Sequence, residues 1–275
     1  MADTDRIDTV HLGPRDALAG LALSTEAHWN QNEADWRSFL IQGTVFGVRD
    51  NDGRLVATAA LLPYTLGNAW ISMVLVTASW RRRGVATRLV DACLKTAIKR
   101  GLTTWLDATP DGANVYGPLG FTPTLQLRRL RLEAPKGVSA AQSLSNCSVA
   151  DFIARDVNAM GFERGPLLTE FGGRAGSRLV SSGNAVALVR DGRTARHIGP
   201  VFAEAHDSAL TLVDTIVRSE QGPWLLDAVH SQEDFLRGLT DTGWTIERPF
   251  QRMRFGRATM LAAELPFAVA GPEFG

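Results

Sequence analysis

The sequence predicts a mixed α/β protein made of two copies of one fold in a row, and three observations carry that expectation. Along the 275 residues, apolar or alternating segments suited to strands take turns with segments of helical period. A stretch of Pro, Gly, Ser and Gln among small residues interrupts this order over 135–144. Beyond it, short words of the first half return in the same order. Leu89-Val90-Asp91 recurs as Leu212-Val213-Asp214, Leu106-Asp107-Ala108 as Leu226-Asp227-Ala228, and Gly120-Phe121 as Gly243-Trp244. The expected organisation is a first domain over 1–134, a linker over 135–144 and a divergent copy over 145–275. Each copy would be a central mixed sheet flanked by helices.

Helices are expected over 17–29, where Leu18, Leu21, Ala22 and Leu23 stand among polar residues, and over 33–40. Residues 44–49 and 55–62 read as strands joined by the hairpin signal Asn51-Asp52-Gly53. Residues 70–76 form an apolar run suited to a strand buried on both faces. A helix over 85–100 buries Val85, Ala86, Leu89, Val90, Cys93, Leu94 and Ala97, turns Arg88, Asp91, Lys95 and Lys99 outward, and stops at Gly101. Cys93 therefore reads as a core thiol. A strand over 103–108, a helical turn over 114–119 and strands within 121–132 complete the first half. The second half runs helix 149–160, strands 178–180, 185–190 and 195–202, helix 207–218, strand 224–228, helix 233–239 and strands over 244–255.

Composition bounds the function. Lysine and arginine match aspartate and glutamate at 29 each, so the chain has no net field to gather nucleic acid or anionic lipid. Two cysteines, Cys93 and Cys147, make neither a disulfide framework nor a metal-ligand spacing, and no metal is expected. No stretch is apolar enough to span a bilayer, and the polar residues 1–8 do not resemble a signal peptide, so a cytoplasmic location is expected.

The sharpest local feature is Arg81-Arg82-Arg83-Gly84-Val85-Ala86, between the buried strand 70–76 and the helix 85–100. A helix start presents unpaired amides and partial positive charge, Gly84 lets the backbone come close, Ala86 does not obstruct it, and the arginines add charge. That arrangement suits a pyrophosphate. The second feature is Tyr116-Gly117-Pro118-Leu119-Gly120-Phe121, after the following strand.

Together these motifs resemble the core of the GNAT superfamily of acetyl-CoA-dependent N-acetyltransferases, over residues 70–121. The whole chain resembles two-domain bacterial GNAT proteins with a divergent C-terminal half, so tandem GNAT folds are expected. Ala78 departs from the family, which often has proline there. The resemblance implies that the backbone of Arg83, Gly84, Val85, Ala86 and Thr87, with Arg81 and Arg82 nearby, holds the coenzyme A pyrophosphate. It implies that Val74, Leu75 and Val76 pair with the pantetheine arm as a strand would. The thioester would enter a splay between this strand and 103–108. Tyr116 would be the general acid that protonates the departing thiolate.

Asp107 is the first candidate for the base that takes the amine's proton, with bracing of the following turn as its other reading. Glu26 and His28 are further candidates, and Trp29 and Trp36 could wall the acceptor site. At the offset of 123, Glu204, His206 and Asp207 stand where Arg81, Arg83 and Gly84 do, and Leu239 replaces Tyr116. The second copy thus lacks both the anion site and the acid, and Asp207 reads as a helix cap. A backbone distortion or narrow cleft is expected at Ile198-Gly199-Pro200, with Arg164, His197, Asp227 and His230 as candidate lining.

The expected activity is acetyl transfer from acetyl-CoA to a primary amine of a small molecule, by a monomer or homodimer with no nucleic-acid or membrane partner. The alternative is a non-catalytic acyl-CoA sensor or assembly module.

Overall fold

A computed structural model describes residues 8–135, 143–257 and 264–275. Residues 136–142 of the expected linker over 135–144 lie outside the described residues. In chain order the first half comprises β1 (Thr9–Leu12), α1 (Ala17–Glu26), α2 (Glu33–Gln42), β2 (Thr44–Arg49), β3 (Leu55–Tyr64), β4 (Asn68–Val76), α3 (Val85–Lys99), β5 (Thr103–Ala108), α4 (Pro110–Tyr116) and β6 (Thr122–Leu132). The second comprises β7 (Ser145–Asn146), α5 (Val149–Met160), α6 (Gly165–Gly172), β8 (Arg178–Ser182), β9 (Ala185–Arg190), β10 (Arg196–Phe202), α7 (His206–Ser219), β11 (Trp224–Val229), α8 (Glu233–Asp241) and β12 (Thr245–Phe255). Among the described residues no helix is long and apolar enough to cross a membrane.

Local chemistry fixes the helix ends. Asn32 accepts from the Asp35 amide while Asp35 accepts from the Asn32 amide, a reciprocal capping box at α2. Ser148 caps α5, which ends at Gly161 in the left-handed region. Asp207 corrects the sequence expectation: the cap position of α7 is Ala205, and Asp207 sits inside the first turn, where its charge still favours the helix dipole.

The sheet is where expectation and structure part most. The two halves do not form separate sheets. They share one twelve-stranded sheet in the order β1-β2-β3-β4-β5-β12-β6-β11-β10-β9-β8-β7. Only the pairs β4–β5 and β10–β11 are parallel, so the sheet is mixed. The last strand of each half has changed places: β12 inserts beside β5, and β6 beside β11. Both strands are eleven residues long with nearly the same sequence of buried and exposed positions. A hydrophobic pattern tells a strand which face to bury and not which partner to take, so either strand satisfies either vacancy.

Two buried ion pairs lock the exchange. Arg129 on β6 donates from Nε and Nη2 to the two oxygens of Asp227 on β11, both at 2.8 Å. Arg252 on β12 donates in the same way to Asp107 on β5, at 2.8 and 2.9 Å. Arg129 and Arg252 are related by the offset of 123 that relates the halves, so each half's arginine grips the other half's aspartate. The forks are equal but their surroundings are not. Burial alone would raise the Asp227 carboxyl, yet Arg129 and His197 outweigh it and hold it well below the usual carboxylate range. Burial raises Asp107, and Arg252 offsets it only in part. In strand register the position matching His197 is Trp70, whose indole N–H goes to the Pro272 carbonyl and not to Asp107.

Helix α3 packs on one face of the first half through Val85, Leu89, Val90, Cys93, Leu94 and Ala97. Burial pushes the Cys93 thiol up to about 12, consistent with an inert core residue. On the other face the halves share a core. Trp36 and Phe39 of α2 join Phe152 of α5, Phe171 of α6 and Phe202 of β10 around Phe274. Phe274 stacks on Phe39 with ring centroids 4.8 Å apart and meets Phe171 edge-on at the same separation. The segment 266–275 therefore runs back from the second half into the first, an element that sequence patterning did not anticipate.

Candidate active site

Strand β4 is bent by an irregularity. Its register against β3 shifts between Thr58 and Ala60, Met73 lies at φ +50°, and the Thr58 hydroxyl donates to the Met73 carbonyl at 2.8 Å. The parallel pairing of β4 with β5 stops at Trp70 and Trp105, although both strands continue. Beyond that point they diverge. Ile71, Ser72, Met73 and Val74 face Leu106, Asp107, Ala108 and Thr109 across a cleft of about 660 Å³ counted to its open mouth. The expected splay is thus present. Val74 lines it, and Leu75 and Val76 continue β4 past it, with no strand paired on the β5 side among the described residues.

A short turn (Ala78–Trp80) leads to the arginine run and α3. Arg81, Arg82, Arg83, Gly84 and Thr87 are exposed, whereas Val85 is buried and Ala86 half-buried. Gly84 occupies the cap position of α3 at φ +74°, where a side chain is strained, and a Cβ there would meet nothing within 4 Å. The space in front of the helix start is open. The amides of Val85, Ala86 and Thr87 lie in the first turn, which no intrahelical carbonyl serves. Arg81 donates from Nε to the Val76 carbonyl at 3.0 Å, and Arg83 lies over the Trp80 ring at 5.2 Å. The first contact ties the run to the end of β4 and the second to the turn that follows it.

Glu26 is the latch of this turn and no free base. Its carboxylate accepts from the Thr77 hydroxyl at 2.9 and 2.7 Å and from the Ala78 amide at 2.8 Å. The hydrogen bond from Thr77, then that from Ala78, hold the Glu26 carboxyl below its ordinary value. His28 is exposed at φ +57° and does not line the cleft, whereas Trp29 does. Trp36 is fully buried in the shared core and donates its indole N–H to the Ser24 hydroxyl, so it does not wall the site.

Tyr116 ends α4, whose first turn is capped by Thr109 accepting from the Gly112 amide at 3.2 Å. The tyrosine ring packs 5.9 Å from Phe121 and close over Gly112, where a Cβ would come within 3.1 Å of the ring edge. Tyr116 lines the cleft, and its hydroxyl has no hydrogen-bond partner among the described residues. Burial pushes the Tyr116 phenol up to about 12, with a smaller push from Cys93, so it carries its proton at neutral pH. Asp107 also faces the cleft, but Arg252 occupies both of its oxygens.

Sequence reasoning missed the other wall. Arg129, Arg248 and Phe250 reach the cleft from the exchanged strands, and Pro272 and Glu273 from the segment after β12. The repeat offset linking Arg129 to Arg252 was legible; the exchange that brings these strands here was not.

The second half reproduces the splay and then fills it. Parallel pairing of β10 with β11 ends at His197 and Leu225. The expected distortion at Ile198-Gly199-Pro200 is there: the register against β9 shifts, and Gly199–Pro200 is cis. Between the diverging strands runs the segment Phe267, Ala268, Val269, bonded on both sides. Val201 donates to the Ala268 carbonyl and accepts from Phe267, at 3.0 and 2.9 Å. Val229 donates to the Phe267 carbonyl, and Val269 donates to that of Asp227, both at 3.0 Å.

Gly199 makes room for this segment, since a Cβ there would lie 2.1 Å from the Val269 carbonyl oxygen. Gly199→Ala is therefore expected to expel residues 267–269 and lower the melting temperature, and amide hydrogen exchange at Val201 and Val229 should rise selectively. Of the candidates for this region, His197 Nε2 contacts Asp227 at 3.0 Å, Arg164 binds Asp156 and the Phe274 carbonyl, and His230 is exposed.

Comparison with known proteins agrees with this picture. Residues 18–121 match the model of the acetyltransferase (GNAT) family, and residues 153–265 match an acetyltransferase (GNAT) domain model. An uncharacterized N-acetyltransferase of Bacillus subtilis strain 168, YitH, is 23% identical over 235 residues, 82% of this chain and 83% of its own length. A candidate acetyltransferase of known structure from Pyrococcus horikoshii superimposes with a TM-score of 0.83 at 18% identity, covering 98% of this chain and 96% of that one. The tandem GNAT protein of the clavulanic acid biosynthesis pathway gives 0.62 at 15% identity, over 92% of this chain and 100% of its own.

Proposed function

Because the chain belongs to the GNAT acetyltransferases and carries two such domains in tandem, we propose that its first half moves an acetyl group from acetyl-CoA to the primary amine of a small molecule. The second half then acts as scaffold. The observation that carries this reading is Tyr116, its hydroxyl unpartnered among the described residues, lining a cleft between diverging strands in the half whose helix α3 opens on Gly84.

Acetyl-CoA supplies the acetyl group as a thioester, which an amine attacks directly. The residues supply the rest. Amides of residues 83–87, with Arg81 and Arg82, would bind the pyrophosphate at the α3 start. The free side of Val74, Leu75 and Val76 would take the pantetheine amides, just as the matching strand β10 takes the backbone of residues 267–269. As the C–N bond forms and the C–S bond breaks, Tyr116 gives its proton to the departing sulfur. The amine's own proton leaves to water. Asp107, held at both oxygens by Arg252, is assigned to positioning β12 beside the cleft unless it releases that arginine. In the second half, residues 267–269 occupy the corresponding space and Glu204 and Asp207 replace the arginine run. No coenzyme is expected there.

Release of free thiol from acetyl-CoA, followed with and without a panel of small primary amines, tests the reading. Amine-dependent thiol release with an N-acetylated product is expected. Tight acetyl-CoA binding with no transfer to any amine would instead favour a non-catalytic acyl-CoA sensor.

A further inference from the structure

One charged group at the cleft has no ion-pair or hydrogen-bond partner among the described residues. Asp107 is held by Arg252 and Arg129 by Asp227, while Glu273 shares Arg190 with Asp35, each at 3.3 Å. Arg248 also lines the cleft, half-buried, and among the described residues it forms no ion pair and no hydrogen bond. Its guanidinium rests against the Phe250 ring at 5.6 Å, and Arg129 lies 5.3 Å from that ring. Burial, and then the neighbouring Arg129 charge, hold Arg248 below its ordinary value. A half-buried cation beside a second guanidinium is costly unless an anion joins it.

We propose that Arg248 is the receptor for a carboxylate on the acceptor, so the substrate is an amino acid or another amine that bears a carboxylate. The proposal rests on the acetyl-transfer reading and narrows it. One unmatched guanidinium supplies one charge in a planar fork, which fits a carboxylate in number and shape; a phosphate dianion would leave a charge over. Arg248 stands just after a register shift in β12, opposite Arg129 of β6, so the selectivity would come from the exchanged strand of the second half.

The test compares amino acids with the matching amino-acid amides, which keep the amine and side chain but lose the carboxylate. The wild type should prefer the acids by roughly tenfold or more in kcat/KM, about 1.4 kcal/mol. Arg248→Gln should bring the acid-to-amide ratio toward one through KM, and Arg248→Lys should restore part of it. Equal use of acids and amides by the wild type, or an unchanged ratio in Arg248→Gln, would overturn the proposal. If no amine is acetylated, the transfer reading fails, and melting of the CoA-loaded protein gives the separate answer. An upward shift by the acids, absent with the amides and in Arg248→Gln, supports the anion subsite; no shift by the acids overturns it.

Discussion

Tyr116→Phe is expected to lower kcat by roughly 10²–10⁴-fold while leaving acetyl-CoA affinity and melting temperature close to wild type. The substitution removes only a hydroxyl that has no hydrogen-bond partner among the described residues, so no described donor or acceptor is left unsatisfied. The ring keeps its packing on Phe121 and over Gly112. What disappears is the proton for the departing sulfur. The pH dependence has a definite sign. With the phenol pushed up to about 12, Tyr116 stays protonated through the assay range, so wild-type activity should rise as the acceptor loses its proton. It should show no alkaline fall assignable to Tyr116 below about pH 11. A Tyr116→Phe enzyme with unaltered kcat would mean that the proton comes from elsewhere.

Arg129→Met should cost about 3–5 kcal/mol of stability, since it strands a fully buried Asp227 carboxylate with only His197 beside it. At about 2–4 °C per kcal/mol for a chain of this size class, the melting temperature should drop by roughly 6–20 °C. Replacing both partners, Arg129→Met with Asp227→Leu, should recover most of the loss, because the penalty belongs to the unpaired charge. Arg252→Met repeats the experiment against Asp107. There a drop in kcat beyond the loss of folded protein would reveal a proton-accepting Asp107 disturbed with its partner. Differential scanning calorimetry of the two single variants and the double variant distinguishes these outcomes.

Much of this was legible from the chain, for reasons specific to each element. Strands 44–49 and 103–108 and helix 149–160 have the bounds read from period and capping residues. The cleft residues on β4, β5 and α4 could be placed because their motifs are local. The helix α6 was not read, because Gly165-Pro166 at its start and Gly172 at its end look like loop punctuation when the periodic run between them is so short. The exchange of β6 and β12 was not legible because their patterns are nearly the same, and pattern specifies face rather than partner. Arg248 and Glu273 followed the same fate: their place at the cleft depends on that exchange and on the return of residues 266–275. Repeated words in the same order, two at an offset of 123 and one at 120, identified the second copy. They could not say that its splay is filled by the chain itself.

The central claim is that the first half holds one acetyl-CoA and the second holds none. Titration calorimetry with acetyl-CoA tests it most directly, on the wild type and on Gly84→Glu. The glutamate would bring negative charge and a side chain into the left-handed position at the α3 start. The account predicts one saturable site in the wild type and its loss in Gly84→Glu, with the variant still folded and melting cooperatively a few degrees lower because of the strained left-handed position. Two sites, or one site that survives Gly84→Glu, would contradict it.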